Sequence, residues 1–87
     1  MTALSNLAPT VLIRAARGSD GPVLRRLAEL DSRPLPEGEL LVAEADDEVI
    51  AALSVDTGDN VADPFRRTAD VVDLLAYRAR RLRAAAA

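Results

Sequence analysis

The amino-acid sequence predicts a small α+β domain: a mostly antiparallel sheet of three to four strands with two helices, in the order β-α-β-β-(β)-α. Three observations support this fold class. Short runs rich in β-branched residues are interspersed with two amphipathic stretches of helical period. Breaker residues separate these segments. The chain of 87 residues suffices for one domain.

The first part of the domain is predicted to be a strand followed by a helix. Residues 11–16 are rich in β-branched and apolar side chains, and breakers flank them, which favours a strand. Ser19 or Asp20 is expected to cap a helix that ends near Asp31. The apolar residues of this helix share one face, which predicts that this face is buried: Val23, Leu24, Leu27, Ala28 and Leu30.

The middle of the chain predicts a loop and two further strands. Prolines and a glycine make residues 32–39 a loop, and residues 40–45 form the second strand. The acidic residues 46–48 form a tight turn, because Asp tolerates left-handed backbone. Residues 49–55 form the third strand, with Val49, Ala51, Leu53 and Val55 on one side and Ile50, Ala52 and Ser54 on the other. Since both sides are fairly apolar, the sheet is expected to be covered on both faces.

The last part of the chain predicts a turn, a strand stub and a long helix. Residues 56–60 form the turn, residues 61–62 the stub of a fourth strand, and residues 63–67 a connector. Thr68 is expected to cap the helix. Acidic residues in its first turns and arginines near its end suit the helix dipole: Asp70, Asp73, Arg78, Arg80, Arg81 and Arg83.

The domain boundaries follow from these elements. Residues 1–10 are expected to be a flexible leader, residues 11–83 a single domain, and residues 84–87 a frayed tail. The segment 1–9 lacks the basic start and apolar core of a signal peptide, and no apolar run is long enough to span a bilayer. We therefore expect a cytoplasmic protein.

Composition and charge exclude several classes of function. The net charge is −3, and all 11 basic residues are arginine. This balance argues against non-specific binding to nucleic acid or to an anionic membrane, so neither is an expected partner. Phe65 and Tyr77 are too few aromatic residues for a base-stacking surface.

Cysteine and histidine do not occur in the sequence. Disulfides and thiolate or imidazole metal sites are therefore excluded, and the acidic run 46–48 lacks the spacing of a calcium loop. We expect no metal site. Because a domain of this size buries only about 60–65% of its unfolded surface, oligomerisation is the remaining device for stabilising it.

Several segments resemble the first half of the GCN5-related N-acetyltransferase (GNAT) superfamily. The strand start Val11-Leu12-Ile13-Arg14 is followed by Asp20 at a helix start, as is common in that superfamily. Leu41-Val42-Ala43-Glu44, an acidic turn and Val49-Ile50-Ala51-Ala52-Leu53-Ser54 are a second similarity. The resemblance covers residues 11–62, and residues 62–68 also look like short proteins of high-GC bacteria with the same truncated layout. It implies a GNAT-like fold limited to its N-terminal half.

The segment 62–68 departs from what this resemblance implies. Acetyltransferases carry a glycine-containing loop here, of the pattern Arg/Gln-x-x-Gly-x-Gly/Ala, which binds the coenzyme A pyrophosphate. This segment has no glycine, and Pro64 lacks an N–H donor. Asp63 and Asp70 add negative charge where the pyrophosphate would lie. Arg66 and Arg67 are the remaining candidates for phosphate contacts; the alternative is a solvated connector or ion pairs with Asp63 and Asp70.

Two further sets of residues are candidates for function. Glu44 and Tyr77 are the plausible acid–base pair by chemistry, but no spacing brings them together, and we assign no catalytic residue. The apolar arc of the final helix spans about 200°, roughly twice what packing on one sheet requires. This excess predicts a protein interface, unless the first helix packs beside it; the candidate interface residues are Val72, Leu75, Arg78, Ala79 and Leu82.

These observations lead to one expected function and one alternative. The expected function is a non-catalytic, GNAT-like interaction module that acts as a homodimer or as a small accessory subunit and holds no cofactor. The alternative is an acyl-coenzyme A-binding protein or acetyltransferase whose site is completed across an oligomer. Only this alternative calls for coenzyme A.

Overall fold

Four antiparallel strands and two helices, described over residues 11–86 by a computed structural model, confirm the predicted α+β class. The sheet order is β1-β2-β3-β4, so each strand pairs with its neighbour along the chain. The predicted leader, residues 1–10, lies outside the described residues. The elements are β1 (Val11–Ala15), α1 (Gly21–Asp31), β2 (Leu40–Ala45), β3 (Glu48–Ser54), β4 (Asn60–Ala62) and α2 (Ala69–Ala86).

A tight turn and a bulge shape the central hairpin of β2 and β3. Asp46 and Asp47 both have positive φ, 53° and 67°, which confirms the predicted left-handed turn at these two residues. Glu48, which was also placed in the turn, is the first residue of β3. The pairing register shifts between Ala43 and Glu44. In consequence, Ile50 and Ala51 belong to the same core cluster instead of opposite ones. The strict alternation expected for residues 49–55 is therefore wrong in the first half of β3.

Each face of the sheet is covered by one helix, as predicted. Leu75 and Ala79 of α2 pack on one face, against a cluster that includes Leu41 and Leu53. Leu24, Leu27 and Ala28 of α1 pack on the other face, against Leu40, Val42, Ala52 and Val61. The two helices therefore lie on opposite sides of the sheet, and α1 does not cover the flank of α2.

The ends of the helices differ from the predicted ones. A short 3-10 helix, Gly18–Asp20, precedes α1, and the side chain of Asp20 does not cap α1. Its carboxylate accepts a hydrogen bond from the backbone N–H of Arg17 instead. At the other end, α2 continues through Ala86, where fraying was expected from residue 84. Alanine is the strongest helix former, and Arg83 anchors the last turns by donating to the carbonyl of Val55.

The fully buried hydroxyl of Ser54 joins two loops. It donates to the carbonyl of Glu37 at 2.7 Å and accepts from the N–H of Thr57 at 3.2 Å. Gly38 lies beside this junction with φ 84°, and a Cβ there would come within 2.5 Å of the Asp56 carboxylate. The loop 32–39 is thus held against the turn that follows β3.

We expect Ser54→Ala to lower the free energy of unfolding by about 1–2 kcal/mol, because it leaves a carbonyl and an N–H without partners beside the core. Urea denaturation measures this change. The matched control is Ser19→Ala, since Ser19 is exposed. Equal stability of the two variants would contradict the role assigned to the Ser54 hydroxyl.

Candidate functional site

Within the segment 62–68, where the GNAT resemblance implies a phosphate loop, residues 62–66 already use their backbone donors within the chain. The N–H of Ala62 donates to the carboxylate of Asp31 at 3.0 Å, and the N–H of Asp63 donates to the carbonyl of Ile50 at 2.9 Å. The N–H groups of Phe65 and Arg66 both donate to Asp63, to its side chain and its carbonyl respectively. Pro64 has no N–H to offer. A pyrophosphate would have to displace these bonds before the backbone of residues 62–66 could bind it.

The two arginines proposed as phosphate contacts lie at the start of α2. Arg66 forms ion pairs with Glu48 and, at 3.9 Å, with Asp63. The partnership with Asp63 was one of the alternatives foreseen from the sequence, and that with Glu48 was not. Arg67 is exposed and lines an open concavity that Asp70 also lines. A phosphate here would compete with carboxylates for Arg66 and meet the negative charge of Asp70.

A largely buried network of charges ties β1, the turn before α1, and β2 together. The guanidinium of Arg14 binds Asp20 with two hydrogen bonds, at 2.8 and 2.9 Å, and donates through Nε to Glu44 at 2.6 Å. The same guanidinium also donates to the carbonyl of Ala15. The fork of Arg14 thus satisfies two carboxylates at once, a geometry available to arginine and not to lysine.

The contacts within this network shift the pKa values of Arg14 and Asp20. The hydrogen bond from Arg14, helped by the N–H of Arg17, lowers the pKa of Asp20 to about 2. The hydrogen bond to Asp20, followed by that to Glu44, raises the pKa of Arg14. Arg14 and Asp20 are therefore charged at neutral pH, and they serve to hold the fold instead of exchanging protons.

Glu44 and Tyr77 are not brought together. Glu44 lies on the sheet face that carries Arg14, because these residues are diagonal neighbours across β1 and β2. Tyr77 is half-exposed on α2, which covers the other face. The sheet separates the two groups, so they cannot act on one substrate. The contact between Glu44 and Arg14 could not be predicted from the sequence, because it depends on the register in which β1 pairs with β2.

The five predicted interface residues occupy different environments on α2. Leu75 and Ala79 are 0% and 1% exposed and contact the sheet, and Val72 packs against the same cluster. Arg78 and Leu82 are exposed. Three of the five predicted residues therefore contact the sheet, and an interface on α2 would have to use other side chains. That α2 forms an interface remains a prediction.

Leu74 and Tyr77, two side chains outside the predicted interface set, are about as accessible as Leu82 of that set. They are 43% and 48% exposed, and they lie on the side of α2 that faces away from the sheet. Arg81 covers Tyr77, with its guanidinium carbon 5.8 Å from the ring centroid and a hydrogen bond of 3.1 Å to the hydroxyl. The apolar arc of about 200° predicted for this helix could not show which part of the arc faces the sheet.

Comparisons with family models, curated proteins and solved structures gave no match. The similarity to acetyltransferases therefore remains an expectation based on the residues quoted for it. Over residues 11–86, neither helix is long and apolar enough to cross a bilayer. The same residues contain no group of three or more potential ligands placed to hold a metal ion.

We expect no saturable heat when the protein is titrated calorimetrically with coenzyme A at about 1 mM, because segment 62–66 offers no unoccupied backbone donors. Saturable binding that weakens in Arg66→Ala and Arg67→Ala would contradict this expectation and favour the acyl-coenzyme A alternative. Arg33→Ala is the control, since Arg33 is an exposed arginine on a different loop.

We expect Asp20→Asn to lower the free energy of unfolding by about 2–3 kcal/mol at pH 7, because it leaves a buried guanidinium short of one partner. The ordinary pKa of this carboxyl is 3.8, and the folded protein lowers it to about 2. Its contribution to stability is therefore complete above about pH 4 and is lost as the pH falls towards 2.

Urea unfolding of both proteins between pH 7 and pH 2 measures this pH dependence. The difference in stability between the wild type and Asp20→Asn is expected to shrink below about pH 4. A difference that stays constant down to pH 2 would show that the network does not hold Asp20 as described. Asp47→Asn, at an exposed turn position, is the control.

Proposed function

We propose that this protein is a non-catalytic, GNAT-like interaction module of the cytoplasm, which acts as a homodimer or as a small accessory subunit. One observation carries this proposal: α2 exposes Leu74 and Tyr77 on the side that faces away from the sheet. Large apolar groups that share one side of a surface helix are typical of a protein contact.

The arrangement of the two helices supports this assignment. Because α1 packs on the opposite face of the sheet, nothing within residues 11–86 covers the outward side of α2. Tyrosine and arginine are enriched where proteins bind each other, and Tyr77 and Arg81 lie together here. A partner on this surface would bury both residues and Leu74.

The alternative of an acyl-coenzyme A-binding protein or acetyltransferase has less support. It requires backbone donors and free arginines at the start of α2. There, residues 62, 63, 65 and 66 donate within the chain, and Arg66 is paired with Glu48 and Asp63. The geometry thus favours the interaction module over the coenzyme-binding protein.

We expect Leu74→Glu to abolish association, because a partner would then have to bury an unpaired carboxylate. The measurement combines the mass of the purified protein in solution with affinity capture from the source cells. The free energy of unfolding should change by less than about 0.5 kcal/mol, since Leu74 is a surface residue.

Leu30→Glu provides a matched control on α1. Leu30 is 37% exposed, comparable to Leu74, but it lies on the helix that covers the opposite face of the sheet. Association that survives Leu74→Glu, or is lost equally in Leu30→Glu, would refute the proposed surface. A wild-type chain that associates with nothing would refute the proposed function.

A further inference from the structure

The outward side of α2 carries charges as well as apolar groups. At about 100° per residue, Asp70, Asp73, Tyr77 and Arg81 lie about 120–160° around the helix from the sheet-facing Leu75, and Leu74 lies beside them at about 100°. We call them the outer face of α2: Asp70, Asp73, Leu74, Tyr77 and Arg81. All five are exposed.

Two of the three charged residues on the outer face, Asp73 and Arg81, are placed symmetrically about Tyr77. Asp73 precedes Tyr77 by four residues and Arg81 follows it by four, so each lies about 6 Å from Tyr77 along the helix axis. The two charges are opposite in sign. A two-fold rotation about an axis that passes beside Tyr77, perpendicular to the helix, exchanges the levels of Asp73 and Arg81 along the helix axis.

We propose that the outer face of α2 binds a second copy of this chain, with the two helices antiparallel and a two-fold axis beside Tyr77. This inference rests on the proposed function and names its partner. In this arrangement Asp73 lies opposite the partner's Arg81, and the symmetry repeats the same ion pair on the other side. The pattern on one helix is thus complementary to itself.

The charges select the antiparallel orientation. In a parallel pair, Asp73 would lie opposite the partner's Asp73 and Arg81 opposite the partner's Arg81, so both contacts would be repulsive. In the antiparallel pair both contacts are attractive, and Leu74 lies beside the partner's Tyr77. Helix axes 8–10 Å apart bring the two Tyr77 positions into contact at the two-fold axis.

The contact formed by two such helices is small. It therefore belongs with the weak and transient interfaces, for which a dissociation constant of about 10–500 µM is reasonable. Sedimentation of the purified chain between about 10 µM and 1 mM should show the mass rising from 9.3 kDa towards twice that value.

Charge reversal tests the pairing directly. Asp73→Arg and Arg81→Asp, each alone, should weaken self-association at least about tenfold, because each places like charges opposite each other. The double variant should restore association to within about threefold of the wild type, since the swapped charges pair again. A double variant as weak as the single ones would overturn the proposal.

Cysteine crosslinking gives a second, independent measurement, because the chain contains no cysteine of its own. Tyr77→Cys should form a symmetric disulfide on oxidation, since the two positions meet at the two-fold axis. Ala69→Cys should not, because eight residues of α2 on either side of the axis separate the two copies by about 24 Å. Efficient crosslinking at both positions would indicate a parallel pair and overturn the proposal.

The outcomes separate this inference from the proposed function. A purified chain that stays monomeric at about 1 mM overturns the second copy as partner. If such a monomer still binds another protein through Leu74, the interaction module stands and only the identity of its partner is wrong. If it binds nothing, both proposals fail.

Discussion

The central strands β2 and β3 are apolar on both sides, and this constraint determines the rest of the molecule. Core residues of the two strands divide between two clusters, one under each helix. Among the described residues, 11–86, two α-helices are available to cover these two surfaces. Each helix therefore lies on its own face, and neither can shield the other. The accessible outer side of α2 is a consequence of this division.

The network of Arg14, Asp20 and Glu44 stabilises the edge of the sheet that α1 does not cover. α1 contacts β3 and β4, whereas β1 lies at the opposite edge. The residues of β1 on the α1 side are Leu12, which is half-exposed, and Arg14. Here a charged fork replaces apolar packing and holds the strand to β2 and to the entry of α1. Arginine suits this position because its long stem packs while its head remains satisfied.

Much of the fold could be predicted from the spacing of apolar residues, because this spacing indicates which sides of β2, β3 and the two helices are buried. The bounds of β2 are an example, since the strand begins at Leu40 and ends at Ala45, as predicted. What depends on register could not be predicted: the bulge beside Ala43, and the meeting of Arg14 with Glu44. The candidate surface shows the same limit. The apolar arc of α2 indicated that the helix has more apolar residues than the sheet can cover. Only the packing in the structure shows that Leu75 is buried against the sheet and that Tyr77 is exposed.

The neighbour-to-neighbour order of the sheet has a consequence for how the chain folds. The β2–β3 pairing is closed by a turn of two residues, Asp46 and Asp47, and β4 follows β3 after a short connection. Only the pairing of β1 with β2 encloses a helix. Pairings between segments this close in sequence cost little loop-closure entropy, so they can form early in folding. Most of this sheet can thus assemble from segments that are already adjacent, which shortens the time during which its apolar strands are exposed to other chains.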